Sequence, residues 1–192
     1  HYFKCYDDCI NSAGSIVFDG GATVCYSNGN DAVDSNYGRS GAITIGDGAV
    51  FAYTSKGAPE EGLDCDNNSY IQITGTGIGI SAGAAQGGGG SSGNTISNAK
   101  QGYKFVTSNI SYQTGRYYTL SDESGNNLVT YSFAANLSSS LALFTATGMK
   151  SGSKYYVKYS TTAPTDATTA WHGLYIGSSA AGTTSVTSFT AQ

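Results

Sequence analysis

The segment EEGLDC, residues 60–65, has two earlier counterparts in the chain, DDCINS at 7–12 and NDAVDS at 30–35. In each copy two polar or acidic residues precede a small residue, an aliphatic residue, and then Asn or Asp. The copies begin 23 and 30 residues apart. A repeat of this length predicts a structure in which similar units stack on one another.

A second series of repeats follows the first, with SIVFDGGATV at 15–24, AITIGDGAVF at 42–51 and YIQITGTGIG at 70–79. Each copy is a β-branched strand, a glycine-containing turn and a second strand, which predicts two short β-strands per unit. Stacked units of this kind form a parallel β-helix, in which equivalent positions lie about 4.8 Å apart. The sequence therefore predicts an all-β fold with a solenoid of parallel coils.

The composition narrows the class of protein. Only 11% of the 192 residues are charged, the net charge is −4, and the basic residues form no cluster, which argues against nucleic acid as a partner. No apolar run approaches the roughly 18–20 residues that a membrane span needs. The first residue is His rather than Met, so we expect a mature or trimmed product whose leader is gone.

The four cysteines all lie in the first third of the chain, with spacings that match no zinc motif. The low charge and the abundance of Tyr, Ser, Thr and Gly favour a secreted protein, where disulfides persist. Four cysteines allow three pairings, and the sequence does not choose among them. They are Cys5, Cys9, Cys25 and Cys65.

Side-chain alternation predicts where the acidic residues of the repeats point. If the aliphatic residues Ile10, Val33 and Leu63 face inward, the residue after each faces outward. Stacked carboxylates about 5 Å apart repel by about 1 kcal/mol in water and several times more near a protein surface. Oxygen ligands of this kind favour Ca²⁺, although the acids could instead only solvate a turn edge and block aggregation. The predicted calcium ligands are Asp8, Asn11, Asp31, Asp34, Glu61, Asp64 and Asp66.

The chain also resembles a known family in three stretches: ITIGDGAVFAYTSKGAPEEGLDCDN, GISAGAAQGGGGSS and LVTYSFAANLSSSLALFTATGMKSGSKYYVKYS. These resemble the bacterial calcium-dependent carbohydrate-binding β-helix family, first described as binding cellulose and pectin. The resemblance covers most of the chain and implies a right-handed parallel β-helix, calcium held by acidic loops, an extracellular or cell-surface location and binding to plant-type polysaccharide. Members of the family usually carry more coils upstream, so we expect either a short member or one whose upstream coils were removed.

Two regions are predicted. Residues 1–99 hold the parallel coils with the acidic repeats, and residues 100–192 form a β-rich antiparallel cap or small sandwich packed on the end of the helix. RYYTLSD-ESGNN-LVTYSFA, residues 116–134, has the pattern of a hairpin. The Gly/Ser-rich stretch 83–99 separates the two patterns.

Aromatic residues in or near turns are the candidate sugar contacts, because a pyranose stacks on an exposed ring. They are Tyr37, Tyr53, Trp171 and Tyr175. The tyrosines that alternate within predicted strands are more often packing residues.

Three functions remain open from the sequence. The first is a non-catalytic carbohydrate-binding protein, calcium-stabilised, for plant-type or acidic polysaccharide. The second is a structural or adhesive extracellular protein that joins head to tail with copies of itself into filaments. The third and least favoured is a pectate-lyase-like enzyme, for which Lys56 is the one candidate base, without the supporting Arg or Lys that proton removal beside calcium would need.

Overall fold

The computed structural model describes residues 1–39, 41–65, 70–83 and 95–192, and this part of the chain is all-β. Its strands lie in both parallel and antiparallel sheets. Across the described residues, no helix has the length and apolar character that crossing a membrane requires.

The first half of the chain consists of short strands. They are β1 (Tyr2–Cys5), β2 (Ile10–Ser12), β3 (Ile16–Phe18), β4 (Ala22–Ser27), β5 (Val33–Ser35), β6 (Ile43–Ile45), β7 (Ala49–Thr54), β8 (Leu63–Cys65), β9 (Tyr70–Ile73), β10 (Ile78–Gly83) and β11 (Thr95–Ser97). The second half has mostly longer ones. They are β12 (Tyr103–Tyr112), β13 (Tyr117–Asp122), β14 (Asn127–Tyr131), β15 (Leu137–Thr145), β16 (Lys154–Ser160), β17 (Thr169–Trp171), β18 (Leu174–Ile176) and β19 (Thr184–Thr190).

The strands of the first half pair in three parallel sets: β2 with β5 and β8, β3 with β6, β9 and β11, and β1 with β4, β7 and β10. Both predicted repeat alignments are confirmed by these registers. Ile10 pairs with Val33 and Val33 with Leu63. In the second set, Ile16, Ile43 and Ile71 pair in the same way.

The strands β4, β7 and β10 are buried on both faces. Val50 and Ala52 face a core that also contains the aliphatic rows of the other two sets. The alternate residues Phe51 and Tyr53 face a second core on the opposite side. Parallel strands need cover on both faces. Here the other two parallel sets cover one face, and the second half of the chain covers the other.

The second half covers the parallel strands in two ways. β15 pairs antiparallel with β10, and β12 pairs with β15, so both extend the sheet beyond its last parallel strand. The antiparallel sheet β17-β18-β14-β13-β16-β19 contributes Tyr118, Tyr131 and Leu120 to the core that holds Phe51 and Tyr53. This sheet therefore lies along the flank of the parallel strands, and the cap on the end stays a prediction. The predicted hairpin is present as β13 and β14.

Small residues allow the sheets to approach one another. A Cβ added at Gly62, just before β8, would lie 2.4 Å from the carbonyl oxygen of Ala52 and 2.4 Å from Oγ of Ser81. Neither distance is a possible contact, so a side chain here would push β8 away from β7 and β10. Gly57 has open space around the same added atom.

We expect Gly62→Ala to lower the free energy of unfolding by about 1–3 kcal/mol, the usual range for overpacking. For a chain of this size, that corresponds to a fall in melting temperature of roughly 3–10 °C. Thermal melts followed by circular dichroism measure it. Gly57→Ala is the matched control and should change the melting temperature by about 1 °C or less. Equal effects of the two substitutions would contradict the close approach of these sheets.

Candidate functional site

The acidic and amide side chains of the repeats lie together on the outer surface of the β2–β5–β8 sheet. In this sheet Asn11 pairs with Asp34 and Asp34 with Asp64. The residue before each points into the core, where Val33 and Leu63 are fully buried. Alternation places the Asn and the two Asp side chains in one outward row, as the repeat predicts. We call Asn11, Asp34 and Asp64 the outward row.

Amide groups separate carboxylates at one end of the outward row. The Asn11 side-chain amide donates to Oδ2 of Asp8 at 2.7 Å and to Oδ2 of Asp34 at 2.8 Å. The Asn36 amide donates to the same Asp34 oxygen at 2.8 Å. These N–H groups lower the repulsion between the acids, but each is neutral and cancels no charge.

A second set of acids lies at the edge of the core. Asp31 is 8% exposed and Glu61 only 2% exposed. The backbone N–H of Glu61 donates to Oδ1 of Asp31 at 2.5 Å. The pKa of Asp31 is raised to about 7, chiefly by burial, with a smaller contribution from the charges of Asp64, Glu60 and Asp8, while the hydrogen bond from Glu61 lowers it.

Asp8 carries an orphaned oxygen. Its Oδ2 accepts from Asn11, but its Oδ1 is buried from solvent and has no hydrogen-bond partner in the described part of the chain. A buried carboxylate oxygen without a donor is costly, and a cation is one group that can satisfy it. The preceding residue, Asp7, accepts from the side-chain amide of Asn30 at 2.9 Å, so an amide also joins these two stacked positions of the repeat.

The donors are of the kind that hard cations prefer. They are carboxylate and amide oxygens, and an amide that turns over presents its oxygen instead of its N–H. Over residues 1–39, 41–65, 70–83 and 95–192, no three His, Cys, Asp or Glu side chains converge as a ready-made metal site. An ion would therefore bridge two carboxylates and complete its shell with amide, backbone and water oxygens. Asp66, the remaining predicted ligand, lies outside the described residues.

The four predicted sugar contacts have different surroundings. Tyr53 is 1% exposed, and its hydroxyl accepts from the N–H of Ala134 at 3.1 Å. Its ring packs among other aromatic residues on the outer face of β7, so it offers no face to a sugar and is not a surface contact. Tyr37 is half-buried, with the Arg39 guanidinium 5.8 Å from its ring centre.

Trp171 and Tyr175 lie on neighbouring strands at one edge of the antiparallel sheet. The Trp171 side chain is 41% exposed, and its indole N–H donates to the His1 carbonyl at 3.0 Å. Tyr175 is half-buried and meets Tyr117 edge to face, with 5.8 Å between the ring centres.

Two groupings were missed by the sequence analysis. The ring of His172 stacks on Tyr2 with 3.8 Å between centres, which joins the β17–β18 hairpin to β1. On β16, the Lys154 and Lys158 ammonium groups lie 5.2 Å and 5.5 Å from the ring centre of Tyr156. The second grouping was readable, because positions two apart on a strand share a face, whereas the first depends on packing between distant segments.

No family model, no curated protein and no solved structure matches the chain.

The raised pKa of Asp31 gives a pH dependence with a definite sign. The folded-state pKa of about 7 lies above the usual value of 3.8, so the folded protein holds a proton that the unfolded chain loses. The contribution of the Asp31 carboxyl to the free energy of unfolding is fully present below about pH 4 and is lost as the pH rises to about 7.

We therefore expect Asp31→Asn to raise the melting temperature at pH 8 by about 4 °C more than it does at pH 5, measured in chelator. Glu123→Gln, an exposed change of the same kind in the β13–β14 turn, should have equal small effects at both pH values. A pH-independent effect of Asp31→Asn would show that this carboxyl is not held protonated by the fold.

Proposed function

We propose that this chain is an extracellular, non-catalytic protein that binds acidic polysaccharide and whose fold is a calcium-braced, right-handed parallel β-helix with an antiparallel cap. The observation that carries the proposal is the outward row, where the register of three parallel strands stacks Asn11, Asp34 and Asp64. The resemblance to the carbohydrate-binding β-helix family supports the same function.

The β-helix interpretation is supported by the order in which strands join the three parallel sets. Along the chain, β2, β3 and β4 enter the three sets in turn, β5, β6 and β7 follow in the same order, and β8, β9 and β10 repeat it again. A chain that visits three parallel sheets in a constant order traces stacked coils.

Calcium would act as a brace between coils. Asp34 and Asp64 belong to successive coils, so one ion shared by their carboxylates would join them and remove the repulsion of the stacked charges. The orphaned Oδ1 of Asp8 provides a further oxygen at the first coil. In this role the ion stabilises the fold, and no chemical step passes through it.

An acidic glycan is favoured by the separation of charge along the chain. Residues 1–99 carry three Lys or Arg against ten Asp or Glu, a formal charge of −7, while residues 100–192 carry six against three, a formal charge of +3. The basic half would attract uronate carboxylates. Lys154 and Lys158, with Tyr156 between them, combine two such charges with a half-buried ring.

Trp171 and Tyr175 remain proposed sugar contacts at the edge of the same antiparallel sheet, because part of each ring reaches solvent. Tyr37 remains a weaker proposal, since its ring is shared with Arg39.

A second candidate function is assembly with further copies of the chain. The strands β1, β2 and β3 each lie at the edge of a sheet, where their outer backbone groups can accept another strand. A groove of about 390 Å³ at this end is lined by Phe3 and by the buried side chains of Ile16 and Phe18. Val17 beside them is 56% exposed. Filaments in negative-stain electron microscopy would favour this function, and single particles would favour the binding protein.

A lyase activity remains the least favoured possibility. Lys56 is exposed on the loop after β7, where its backbone N–H donates to Oγ1 of Thr54 at 3.2 Å. A pectate-lyase test would show unsaturated products absorbing in the ultraviolet, lost in Lys56→Ala.

The calcium proposal predicts that a chelator lowers the melting temperature, because an ion bound only by the folded state stabilises it. Asp64→Asn should weaken calcium binding about tenfold or more by isothermal titration calorimetry. Asp122→Asn is the control, since Asp122 accepts from Asn126 in the β13–β14 turn, away from the outward row. Unchanged melting after complete chelation would rule out a calcium brace.

The glycan proposal predicts that the double variant Lys154→Gln, Lys158→Gln binds polygalacturonate at least tenfold more weakly in affinity electrophoresis, with a shallower dependence on salt. Lys56→Gln plus Lys4→Gln removes the same charge from the first half of the chain and should leave binding within about twofold. If both pairs weaken binding equally, only net charge matters and the β16 surface is not the site.

A further inference from the structure

Two cysteines bracket the turn between β1 and β2, in the sequence CYDDC at residues 5–9. Cys5 ends β1, and Cys9 directly precedes β2. Both ends of this turn are held by the next coil, because the Asn28 N–H donates to the Cys5 carbonyl and the Cys9 N–H donates to the Ala32 carbonyl, each at 3.2 Å.

Both cysteines lie beside the same part of β4. Cys9 Sγ donates to the carbonyl of Tyr26 at 3.2 Å, which places it beside β4. Cys5 pairs in register with Ser27, the residue next to Tyr26, so it lies beside the same part of β4. Both are free thiols in the structure, and the pKa of Cys9 is raised by burial and by the neighbouring Cys5 thiol.

The other two cysteines are less suitable partners. Cys25 pairs with Phe3, two residues before Cys5. With about 3.3 Å per residue along a strand and 4.8 Å between strands, its Cα lies about 8 Å from that of Cys5, beyond the roughly 7 Å that a disulfide spans.

Cys65 belongs to a different coil. It pairs with Ser35, which in turn pairs with Ser12 on the first coil. Two inter-strand spacings, about 9.6 Å, therefore separate it from the strand that follows Cys9. Cys25 is the competing partner for Cys9, because Cys9 packs against the core cluster that contains Cys25.

We propose that Cys5 and Cys9 form a disulfide that closes the β1–β2 turn. A small-molecule or protein disulfide is the oxidant. One thiolate attacks it and releases a thiol, and the second thiolate then attacks the resulting mixed disulfide and releases the other thiol. The two cysteines together lose two protons and two electrons, and the donor disulfide becomes two thiols.

The cross-link would hold the part of the chain where the acidic rows begin. Asp7 and Asp8 lie inside the closed ring, and their side chains accept from Asn30 and Asn11. β1 and β2 are both edge strands, with a neighbour on one side only in the described residues. A covalent ring there limits fraying of the edge, whether or not the acids bind calcium.

The test is to incubate the folded chain with oxidised glutathione, block free thiols with N-ethylmaleimide, and digest with a protease that cleaves before Asp. Cuts before Asp7, Asp8, Asp19 and Asp31 place Cys5, Cys9 and Cys25 in the separate fragments 1–6, 8–18 and 19–30. We expect fragments 1–6 and 8–18 to be joined, and fragment 19–30 to carry a blocked Cys25. The joined species should disappear on reduction.

Cys9→Ser should abolish the joined species, and Cys65→Ser should leave it intact. Oxidation should raise the melting temperature of the parent chain and of Cys65→Ser by about 4 °C, with no rise in Cys9→Ser. Fragment 19–30 joined to either of the others would overturn the assignment in favour of Cys25. Four blocked cysteines after prolonged oxidation would overturn it altogether.

Discussion

Register between parallel strands is the constraint on which the rest of this structure depends. Once Val33 lies between Ile10 and Leu63, every other position of the repeat is also placed in a row. The same pairing that builds continuous apolar rows inside the protein stacks Asn11, Asp34 and Asp64 outside it. The acidic surface is therefore a direct consequence of how the core is formed, and the repulsion within it has to be offset by amides, protons or a cation.

The repulsion between the carboxylates is offset in one way at the protein surface and in another way at the edge of the core. At the surface, the amides of Asn11 and Asn36 lie between carboxylates. At the edge of the core, burial raises the pKa of Asp31, so that a proton can take the place of a charge. A calcium ion would take the place of both the amide hydrogen bonds and the proton. The proposed brace and the pH dependence of stability therefore concern the same few residues.

Much of the first half could be predicted from the sequence, because repeats report which residues are equivalent. The two alignments, the inward and outward rows and the β13–β14 hairpin all followed from patterns within short segments. The burial of Asp31 and Glu61 did not, since a two-residue acidic pair gives no indication of which member points into the protein. The prediction that Tyr53 is a sugar contact was wrong for a related reason. AVFAYT, residues 49–54, is apolar on both faces, a pattern typical of a strand covered on both sides, so a tyrosine near the turn at its end is buried all the same.

Contacts between distant segments were beyond local patterns. The stacking of Tyr2 on His172 and the hydrogen bond from Trp171 to His1 join the start of the chain to the β17–β18 hairpin. The antiparallel sheet lies along the flank of the parallel strands because the outward residues of β7 include Phe51 and Tyr53, which require an aromatic partner surface. Its own aromatic face, with Tyr118 and Tyr131, supplies one.

The central claim is that the outward row is a cation site produced by register. Anomalous diffraction from crystals grown with calcium tests it most directly. The account predicts a peak about 2.3–2.6 Å from carboxylate oxygens of both Asp34 and Asp64, with the Asn11 amide turned so that its oxygen faces the ion. The absence of a peak in this row, with the Asn11 N–H still bridging Asp8 and Asp34, would contradict it.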